Sequence, residues 1–339
     1  MANENAQSLN PNLSNAPLRV LVTGANGFVG SALCKKLTEC GRQVTQAVRS
    51  RTADQLQTPE VVETGNLNGQ TDWKSLLGGC AVVVHLAAHV HQRHGTAQQA
   101  RSLYHVINVE ATLHLARQAA QVGVGRFVFL SSVKAMAERT LPGLMLTEES
   151  PMAPLDAYGE SKRDAEHGLQ AIAAQTGMQL VIVRPPLVYG PGVKANFASL
   201  VRLVQSGIPL PLASLQNQRS LVSLANLIDF LRVCLESDAA ANQVFLVSDG
   251  QDCSTPELIR GIAAASHQKA KLFHVPVAWL EMAARRTGNL GVYQRLAENL
   301  QVDISKARQL LKWQPQQSLQ AGLQMAVQLA VLPVVHPVN

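Results

Sequence analysis

The sequence predicts an α/β protein built on a doubly wound parallel sheet, with a smaller C-terminal lobe. Short runs rich in Val, Leu, Ile and Phe alternate with longer helical stretches from Leu18 onward, which is the pattern of βαβ units. A glycine-rich turn stands directly between the first such run and the first helix. Hydrophobic residues make up 47% of the 339 residues, which is enough to bury a large core.

Six apolar runs have the composition of strands that are covered on both faces. Two helices are equally clear. The first covers residues 28–39 and stops at Gly41. The second covers residues 156–176 and ends at Gly177, because glycine readily adopts the left-handed conformation that closes a helix. The six predicted strands are residues 18–23, 43–48, 81–86, 126–131, 179–184 and 244–247.

Proline and glycine punctuate the chain after Arg184, and such segments build sites more often than cores. We expect these residues to form a lobe over the carboxyl edge of the sheet, where open α/β folds bind ligands. The predicted parts are a flexible tail (1–16), a sheet domain (17–186 with 220–250) and the smaller lobe (187–219 with 251–335).

Composition and charge exclude several classes of function. The net charge of +6 is scattered and aromatic residues make up 4% of the chain, so the basic stripe of a nucleic-acid binder is missing. The five cysteines form no C-x-x-C pair, which argues against a disulfide framework and a cysteine zinc site. Residues 1–15 are unlike a signal peptide, and no apolar run reaches the roughly 20 residues of a membrane span. We expect a cytoplasmic protein that binds neither nucleic acid nor membrane.

The turn after the first strand carries Gly24, Gly27 and Gly30 with the spacing G-x-x-G-x-x-G. These glycines permit a tight turn, let backbone N–H groups approach a pyrophosphate and let the helix pack on the strand. The helix N-terminus adds a favourable field for an anion. A purely structural turn is the alternative, and the strand before and the helix after argue against it. We therefore predict a dinucleotide site.

Tyr158 and Lys162 stand four residues apart at the start of the second helix and share one of its faces. Ser132 ends the strand before it. A phenol has a reference pKa near 10, so proton exchange near neutral pH requires the phenolate to be stabilised by roughly 3 units. A lysine and a nicotinamide cation supply the charge for this, and the serine hydroxyl holds the substrate oxygen. Tyr-x-x-x-Lys alone often arises by chance, so the prediction rests on all three signals.

Together these motifs resemble the extended short-chain dehydrogenase/reductases that act on nucleotide sugars. The resemblance covers residue 18 to about residue 332. It implies a Rossmann domain that binds NAD(P) and a lobe that holds a nucleoside diphosphate sugar. The segments that carry it are Gly24/Gly27/Gly30, Leu86-Ala87-Ala88, Asn108, Ser131-Ser132, Tyr158/Lys162 and the run from Arg184 to Gly192.

The resemblance also implies roles for individual residues. Ser132, Tyr158 and Lys162 are the implied catalytic set. Arg219 stands where the family pairs a phosphate, and a guanidinium offers a diphosphate a bidentate fork. The implied cofactor contacts are Gly24, Asn26, Gly27, Phe28, Val29, Gly30, Arg49, Asn66, Leu67, Leu86, Ala87, Ala88, Asn108, Ser131, Tyr158, Lys162 and Pro185. The implied substrate contacts are His89, Lys134, Asn196, Phe197, Arg219 and Arg295.

Two departures from the family pattern bear on the cofactor. An acidic residue at the end of the second strand accepts the ribose hydroxyls of NAD, but this position is Val48, and Arg49 and Arg51 follow. The arginines favour NADP(H) over NAD(H) because they suit a 2′-phosphate; exposed loop arginines are the alternative. Asn66 stands where the family has an aspartate for the adenine amino group, and its amide oxygen still accepts a hydrogen bond.

The residues after Ser132 narrow the reaction. Sugar 4,6-dehydratases of this family carry an Asp-Glu pair there, whereas this chain has Val133 and Lys134, so water elimination lacks its acid and base. The arginine cluster favours an NAD(P)H-dependent 4-keto reductase, and the Ser-Val-Lys segment is similar to bacterial reductases that make 6-deoxy-N-acetylhexosamine nucleotides for surface polysaccharides. A UDP-hexose 4-epimerase with tightly bound NAD is the alternative. A cofactor-binding sensor without chemistry is a second alternative, which the Ser-Tyr-Lys set argues against.

His85, His89, His91 and His94 cluster near the third predicted strand. No carboxylate shares the loop, so a loop that covers the cofactor is favoured over a metal site. The helix over residues 104–121 has apolar positions at helical spacing, which predicts packing. In the resembled family the equivalent helix forms a four-helix dimer interface, so the resemblance implies a homodimer.

Overall fold

The computed structural model describes residues 18–90, 96–193 and 195–328, the last range without the side chains of residues 195 and 196. The predicted tail, residues 1–16, lies outside these ranges. The strands are β1 (Arg19–Thr23), β2 (Gln43–Val48), β3 (Val61–Glu63), β4 (Val82–His85), β5 (Arg126–Leu130), β6 (Gln179–Arg184), β7 (Leu187–Tyr189), β8 (Leu221–Ser223) and β9 (Gln243–Leu246). The helices are α1 (Phe28–Glu39), α2 (Lys74–Leu77), α3 (Ala97–Tyr104), α4 (Ala111–Gln121), α5 (Ala157–Thr176), α6 (Ala195–Gln205), α7 (Leu224–Glu236), α8 (Thr255–Ala265), α9 (Val277–Arg286), α10 (Leu290–Ala297), α11 (Ser305–Leu311) and α12 (Leu319–Gln328).

A parallel sheet forms the centre of the molecule. Among the described residues, seven strands pair in the order β3-β2-β1-β4-β5-β6-β9, and β7 pairs separately with β8. The strand order reverses beside β1, where Thr23 is level with Ala47 of β2 and with His85 of β4. Ligands of open α/β sheets bind at such a reversal, beyond the carboxyl ends of the strands. The predicted doubly wound parallel sheet is confirmed.

Helices cover both faces of the sheet. Along β1, Val20 and Val22 belong to a hydrophobic cluster that α1 and α7 complete, whereas Leu21 belongs to a second cluster with α4 and α5. Each fully buried aliphatic side chain contributes about 1.5–3 kcal/mol relative to an exposed one. The two clusters therefore hold the strands, and with them the carboxyl edge of the sheet, in a fixed position.

The six predicted strands agree with the structure within one residue at each end, and Gly177 closes α5 with a φ of +75°. The strands β3, β7 and β8 were not predicted. Each has three residues, which is too short for a periodic pattern. The predicted helix over residues 104–121 is continuous, but residues 105–110 are π-helical.

A third hydrophobic cluster lies apart from the sheet. It combines residues of β7, α6, α8 and α12, with Tyr189 and Phe197 among its largest members. Leu221 of β8 belongs to it as well. The cluster takes residues from both parts of the predicted lobe, whereas Leu300, Val302 and Trp313 of that lobe pack in the first cluster. The domain boundaries stay a prediction.

The cysteines of the described ranges are free thiols, and four of the five are buried. They act as small apolar side chains of the core. No helix in these ranges is both long enough and apolar enough to cross a membrane.

Gly30 occupies a position where no side chain fits. A Cβ at this residue would lie 2.1 Å from the carbonyl oxygen of Gly24, so Gly30→Ala must push α1 away from the turn. We expect the free energy of unfolding to fall by about 1–3 kcal/mol, measured by denaturant titration. Gly69→Ala is the control, because a Cβ there meets nothing within 4 Å. Equal stability of the two variants would contradict the contact.

Candidate active site

The turn after β1 leaves the N-terminus of α1 open to an anion. Gly24 has a φ of +67°, and a Cβ on it would lie 2.8 Å from the backbone nitrogen of Ala87. Gly27 is the N-cap of α1, no side chain caps this helix, and no acidic residue stands in its first turn. The N–H groups of that turn, from Phe28 onward, have no intrahelical partner and carry the positive end of the helix dipole. This end of α1 therefore fits a pyrophosphate.

The end of β4 forms the opposite wall of the crevice. The backbone nitrogen of Leu86 donates to the Thr23 carbonyl over 3.3 Å, and that of Ala87 donates to the Thr23 hydroxyl over 3.3 Å. The predicted cofactor segments, residues 24–30 and 86–88, thus meet at the reversal of the sheet.

The arginines after β2 do not form a built phosphate site. Arg49 is exposed, and the neighbouring carbonyl of Ser50 accepts a long hydrogen bond of 3.5 Å from the amide of Asn26. A groove of about 500 Å³ lies beside Asn26, and its lining includes the oppositely charged Lys35 and Glu39. The geometry therefore does not single out a 2′-phosphate. The polar side chains of this groove include Asn26, Lys35, Glu39, Gln46 and Gln55.

The two predicted adenine contacts face different surroundings. Asn66 lines a polar cleft of about 450 Å³ that follows β3. Leu67 packs against the hydrophobic cluster under α4 and α5. The Asn66 side chain therefore lines the cleft, and the Leu67 side chain does not.

Ser132, Tyr158 and Lys162 lie together at the carboxyl end of β5. The Ser132 hydroxyl lies close enough to Tyr158 to favour the phenolate and lower the pKa of the phenol. The buried Lys162 donates from Nζ to the Leu130 carbonyl over 2.9 Å and lies 4.6 Å from the ring centre of Phe129. Strand β5 and helix α5 thus bring the three predicted catalytic side chains into one cluster.

Burial governs the protonation of this cluster. It lowers the pKa of Lys162 to about 8, against the attraction of Glu166. It raises the pKa of Tyr158, the charge of Asp156 adds to that rise, and the nearby Ser132 hydroxyl opposes it. Without a bound ligand the phenol therefore holds its proton strongly, and forming a phenolate requires more positive charge beside the ring.

Tyr104 belongs to the site, although the sequence assigned its helix to packing. Its ring stands edge-on to Tyr158, with 6.0 Å between ring centres, and it contacts the ring of His89 at 5.4 Å. Its hydroxyl donates to the Val90 carbonyl over 3.2 Å. The available signal was spacing, because Tyr104 stands one helical turn before Asn108.

Asn108 is bound by protein groups on both sides, and its predicted contact with the cofactor stays a prediction. The side chain is buried within the π-helical segment. Its amide oxygen accepts from the His89 nitrogen over 2.7 Å, and its amide nitrogen donates to the His89 carbonyl over 3.0 Å and to the Ser161 hydroxyl over 2.9 Å. Asn108 therefore ties the loop after β4 to α5. Such π-helical turns are frequent at functional sites.

A buried ion pair lies behind the Ser-Tyr-Lys cluster. Arg184 donates to Glu166 from Nη2 over 2.6 Å and from Nε over 3.1 Å, and the Ser131 hydroxyl donates to the same carboxylate. The Glu166 and Arg184 side chains are 0% and 4% exposed. Ser131, predicted as a cofactor contact, is thus engaged in this network. The carbonyl of Pro185, also predicted, accepts from the Val133 nitrogen over 2.9 Å.

Two arginines mark the predicted substrate side. Burial lowers the pKa of Arg219, Glu298 opposes this, and the positive charge of Arg295 lowers it further. Arg219 also donates to the Glu298 carbonyl over 3.0 Å. Two guanidinium groups close enough to repel each other favour the binding of an anion beside them.

Three other predicted substrate contacts stay predictions, and one of them falls outside the description. The Phe197 ring is 2% exposed and packs on Tyr189 at 5.5 Å, so it belongs to the core. The Lys134 ammonium is bound by the carboxylates of Glu138 and Asp156. The side chain of Asn196 lies outside the described part of the chain.

His85 links strands rather than binding a metal. Its ring nitrogens lie 2.7 Å from the Thr23 hydroxyl and 2.9 Å from the Thr112 hydroxyl. Burial, aided by the charge of Lys162, lowers its pKa to about 3, so the ring is neutral. Within the described ranges no group of three His, Cys, Asp or Glu side chains is arranged for a metal. His91 and His94 lie outside these ranges.

A glycine turn facing a Ser-Tyr-Lys cluster across the carboxyl edge of a parallel sheet defines the class of extended short-chain dehydrogenase/reductases. The sequence model of the NAD dependent epimerase/dehydratase family matches residues 20–248. The chain belongs to this family.

Its relatives include several sugar 4-epimerases. The chain is 44% identical to a UDP-glucose 4-epimerase of Vibrio cholerae over 314 residues, which cover 92% of this chain and 95% of the relative. It is 27% identical to the N-acetyl-alpha-D-glucosaminyl-diphospho-ditrans,octacis-undecaprenol 4-epimerase of Escherichia coli O157:H7 over 262 residues, 76% of this chain and 75% of the relative.

A solved structure has the same fold. The UDP-glucuronic acid 4-epimerase of Bacillus cereus in complex with NAD matches with a TM-score of 0.75 and 22% identity. The match covers 92% of this chain and 98% of that one.

The buried pair predicts a large effect of Arg184→Met. The variant leaves the Glu166 carboxylate buried without its cation, which costs about 3–5 kcal/mol of unfolding free energy. Arg163→Met is the control, because the partly exposed Arg163–Asp164 pair contributes about 0–1 kcal/mol. Thermal and denaturant unfolding measure both. Similar losses in the two variants would contradict the role of the buried pair.

Proposed function

We propose that the protein is a UDP-hexose 4-epimerase that uses NAD. The main support is the similarity to the Vibrio cholerae UDP-glucose 4-epimerase, which extends over nearly the whole of both chains. The 4-keto reductase favoured on the sequence is not confirmed, and neither is its preference for NADP(H). The family description supports NAD. Cytoplasmic location and a homodimer remain predictions.

The residues present fit this cofactor and this reaction. The uncapped N-terminus of α1 would hold the pyrophosphate of NAD, and Lys162 its nicotinamide ribose. When bound, NAD supplies the oxidant for the sugar C4 and afterwards the reductant, so none is consumed. Arg219 and Arg295 would hold the diphosphate of the sugar nucleotide.

Tyr158 would exchange the proton of the reaction. As a phenolate it accepts the proton of the 4-hydroxyl, and as a phenol it returns a proton once the 4-keto sugar has presented its other face. Ser132 would donate a hydrogen bond to the same sugar oxygen. The charge of Lys162 favours the phenolate. A dehydratase is disfavoured because Lys134 stands in the position of its acidic pair and binds the nearby Glu138 and Asp156.

One assay separates the three candidate functions. The purified protein is incubated with UDP-glucose, with and without added NAD, and UDP-galactose is measured by chromatography. In parallel it receives UDP-4-keto-6-deoxy-N-acetylglucosamine with NADH or NADPH. We expect UDP-galactose without net change in nicotinamide absorbance. Oxidation of NAD(P)H in the presence of the keto sugar, with no UDP-galactose formed from UDP-glucose, would support the reductase. Binding of NAD without turnover of either sugar would indicate a sensor.

Tyr158→Phe removes the proton-exchanging hydroxyl and keeps the ring. We expect kcat to fall about 100-fold to 10,000-fold, while NAD binding, followed by calorimetry, stays near that of the unchanged protein. Tyr293→Phe, on α10, is the matched control. Full turnover in the Tyr158 variant would rule out its role as acid and base.

A further inference from the structure

Lys134 forms the centre of a charge cluster beside the site. Its Nζ lies 2.6 Å from Oδ2 of Asp156 and 2.9 Å from Oε1 of Glu138. Burial by itself would lower the pKa of Lys134, but the hydrogen bonds to Asp156 and Glu138 raise it, so the ammonium stays charged. The Lys134 ammonium, which the sequence predicts to contact the substrate, is thus bound by these two carboxylates.

Asp156 caps helix α5, and its negative charge lies near Tyr158. Its Oδ1 accepts a hydrogen bond of 2.7 Å from the backbone nitrogen of Gly159, which makes it the N-cap of α5. Burial favours its neutral form, but the contacts with Lys134 and Gly159 hold its pKa below the usual range. The resulting negative charge stands two residues from Tyr158 and disfavours a phenolate there.

Backbone contacts join the lysine and the tyrosine into one unit. A Cβ on Gly159 would lie 2.3 Å from the Lys134 carbonyl oxygen, so α5 begins directly against this loop. The backbone nitrogen of Lys134 also donates a hydrogen bond to the Ser132 hydroxyl over 3.2 Å. Any movement of Lys134 relative to Asp156 would therefore change how Ser132 meets Tyr158.

We propose that Lys134 is a positioning residue. Its ammonium neutralises Asp156 and holds the loop after β5 against the first turn of α5. Tyr158 can then act as a base although the Asp156 carboxylate lies beside it. This inference rests on the proposed function for its kinetic test. Its spectroscopic test stands without that function.

The other charged and titratable groups around Tyr158 do not replace Lys134. Glu160 is paired with Arg101 of α3 over 2.9 Å. Glu138 faces Arg219 as well as Lys134. The groups that face Tyr158 are the Asp156 carboxylate, the Tyr104 ring and the Ser132 hydroxyl. Beyond them, Lys134 pairs with Asp156 and Glu138, and His89 contacts the Tyr104 ring. Lys162 follows one turn further along α5.

The kinetic test follows the pH dependence of kcat. Lys134→Met leaves the charge of Asp156 uncompensated, which raises the pKa of Tyr158. The acidic limb of the profile should therefore move to higher pH by about one unit, which corresponds to a tenfold smaller phenolate fraction on that limb. Asp156→Asn should move the limb down, because asparagine caps a helix as well as aspartate but carries no charge. Lys269→Met, at an exposed lysine, is the control and should keep the original profile.

Two further variants separate charge from mere structure. The double variant Lys134→Met with Asp156→Asn removes both charges and should return the limb to within a few tenths of a unit of its original position. Lys134→Arg keeps the charge and should do the same. A loss of kcat in Lys134→Met with an unmoved limb, not reversed in the double variant, would overturn the proposal. Should Lys134→Met fail to fold, Asp156→Asn decides by the same limb.

The spectroscopic test needs no turnover. The chain has four tyrosines, so ¹³C at the ring Cζ gives four resolvable NMR signals, and Tyr158→Phe assigns one of them. In the presence of NAD the titration of this signal should move to higher pH in Lys134→Met and to lower pH in Asp156→Asn. Unmoved titrations in both variants overturn the proposal even if epimerase turnover is found. Shifted titrations without turnover keep it and reject the proposed function.

Discussion

The candidate site depends on a contact of backbone against backbone where the sheet reverses. Gly24 and Gly30 have no side chain at the points where Ala87 and the Gly24 carbonyl leave no room. The contact sets the open end of α1 against the end of β4, so the crevice is lined by peptide groups. Peptide groups do not change rotamer. The distance from this crevice to Ser132 is therefore fixed by the register of β4 on β5, which pairs His85 with Phe129.

Charge is concentrated on the β5 side of the same edge, and there it is arranged in pairs. Glu166 meets Arg184 in the interior, and Asp156 meets Lys134 nearer the surface. A buried charge without its partner costs several kcal/mol, so the Glu166–Arg184 pair forms only when α5 docks on the sheet. The partly exposed Asp156–Lys134 pair contributes only about 0–1 kcal/mol. The docking that completes the core thus also aligns Tyr158 with Ser132. Stability and chemistry depend on the same helix, because Lys162, whose pKa burial lowers, is attracted by Glu166 of the buried pair.

The sequence predicted those features that leave a local pattern. Buried strands, the glycine turn and α5 with its terminal Gly177 were all visible, because each is defined within about 20 residues. Strands of three residues were not, since they carry no period. Motif positions also do not say which way a side chain points, so the sequence does not show the protein contacts of Asn108, Ser131 and Phe197. The contacts of Glu166 and Tyr104 join distant segments. Spacing places Tyr104 one helical turn before Asn108, but a single sequence holds no signal for the partners of either residue.

The choice between epimerisation and reduction depends on how strongly Tyr158 holds its proton. A reductase uses the phenol only as a donor, so a raised pKa suits it. An epimerase uses the same group as base and then as acid in one turnover, which requires a pKa near the working pH in the loaded state. Burial and Asp156 raise this pKa, whereas Lys162 and the charge of an oxidised nicotinamide ring lower it. The two reactions share their catalytic residues and differ in this balance, which explains why the Ser-Tyr-Lys motif predicts the class of enzyme but not the reaction.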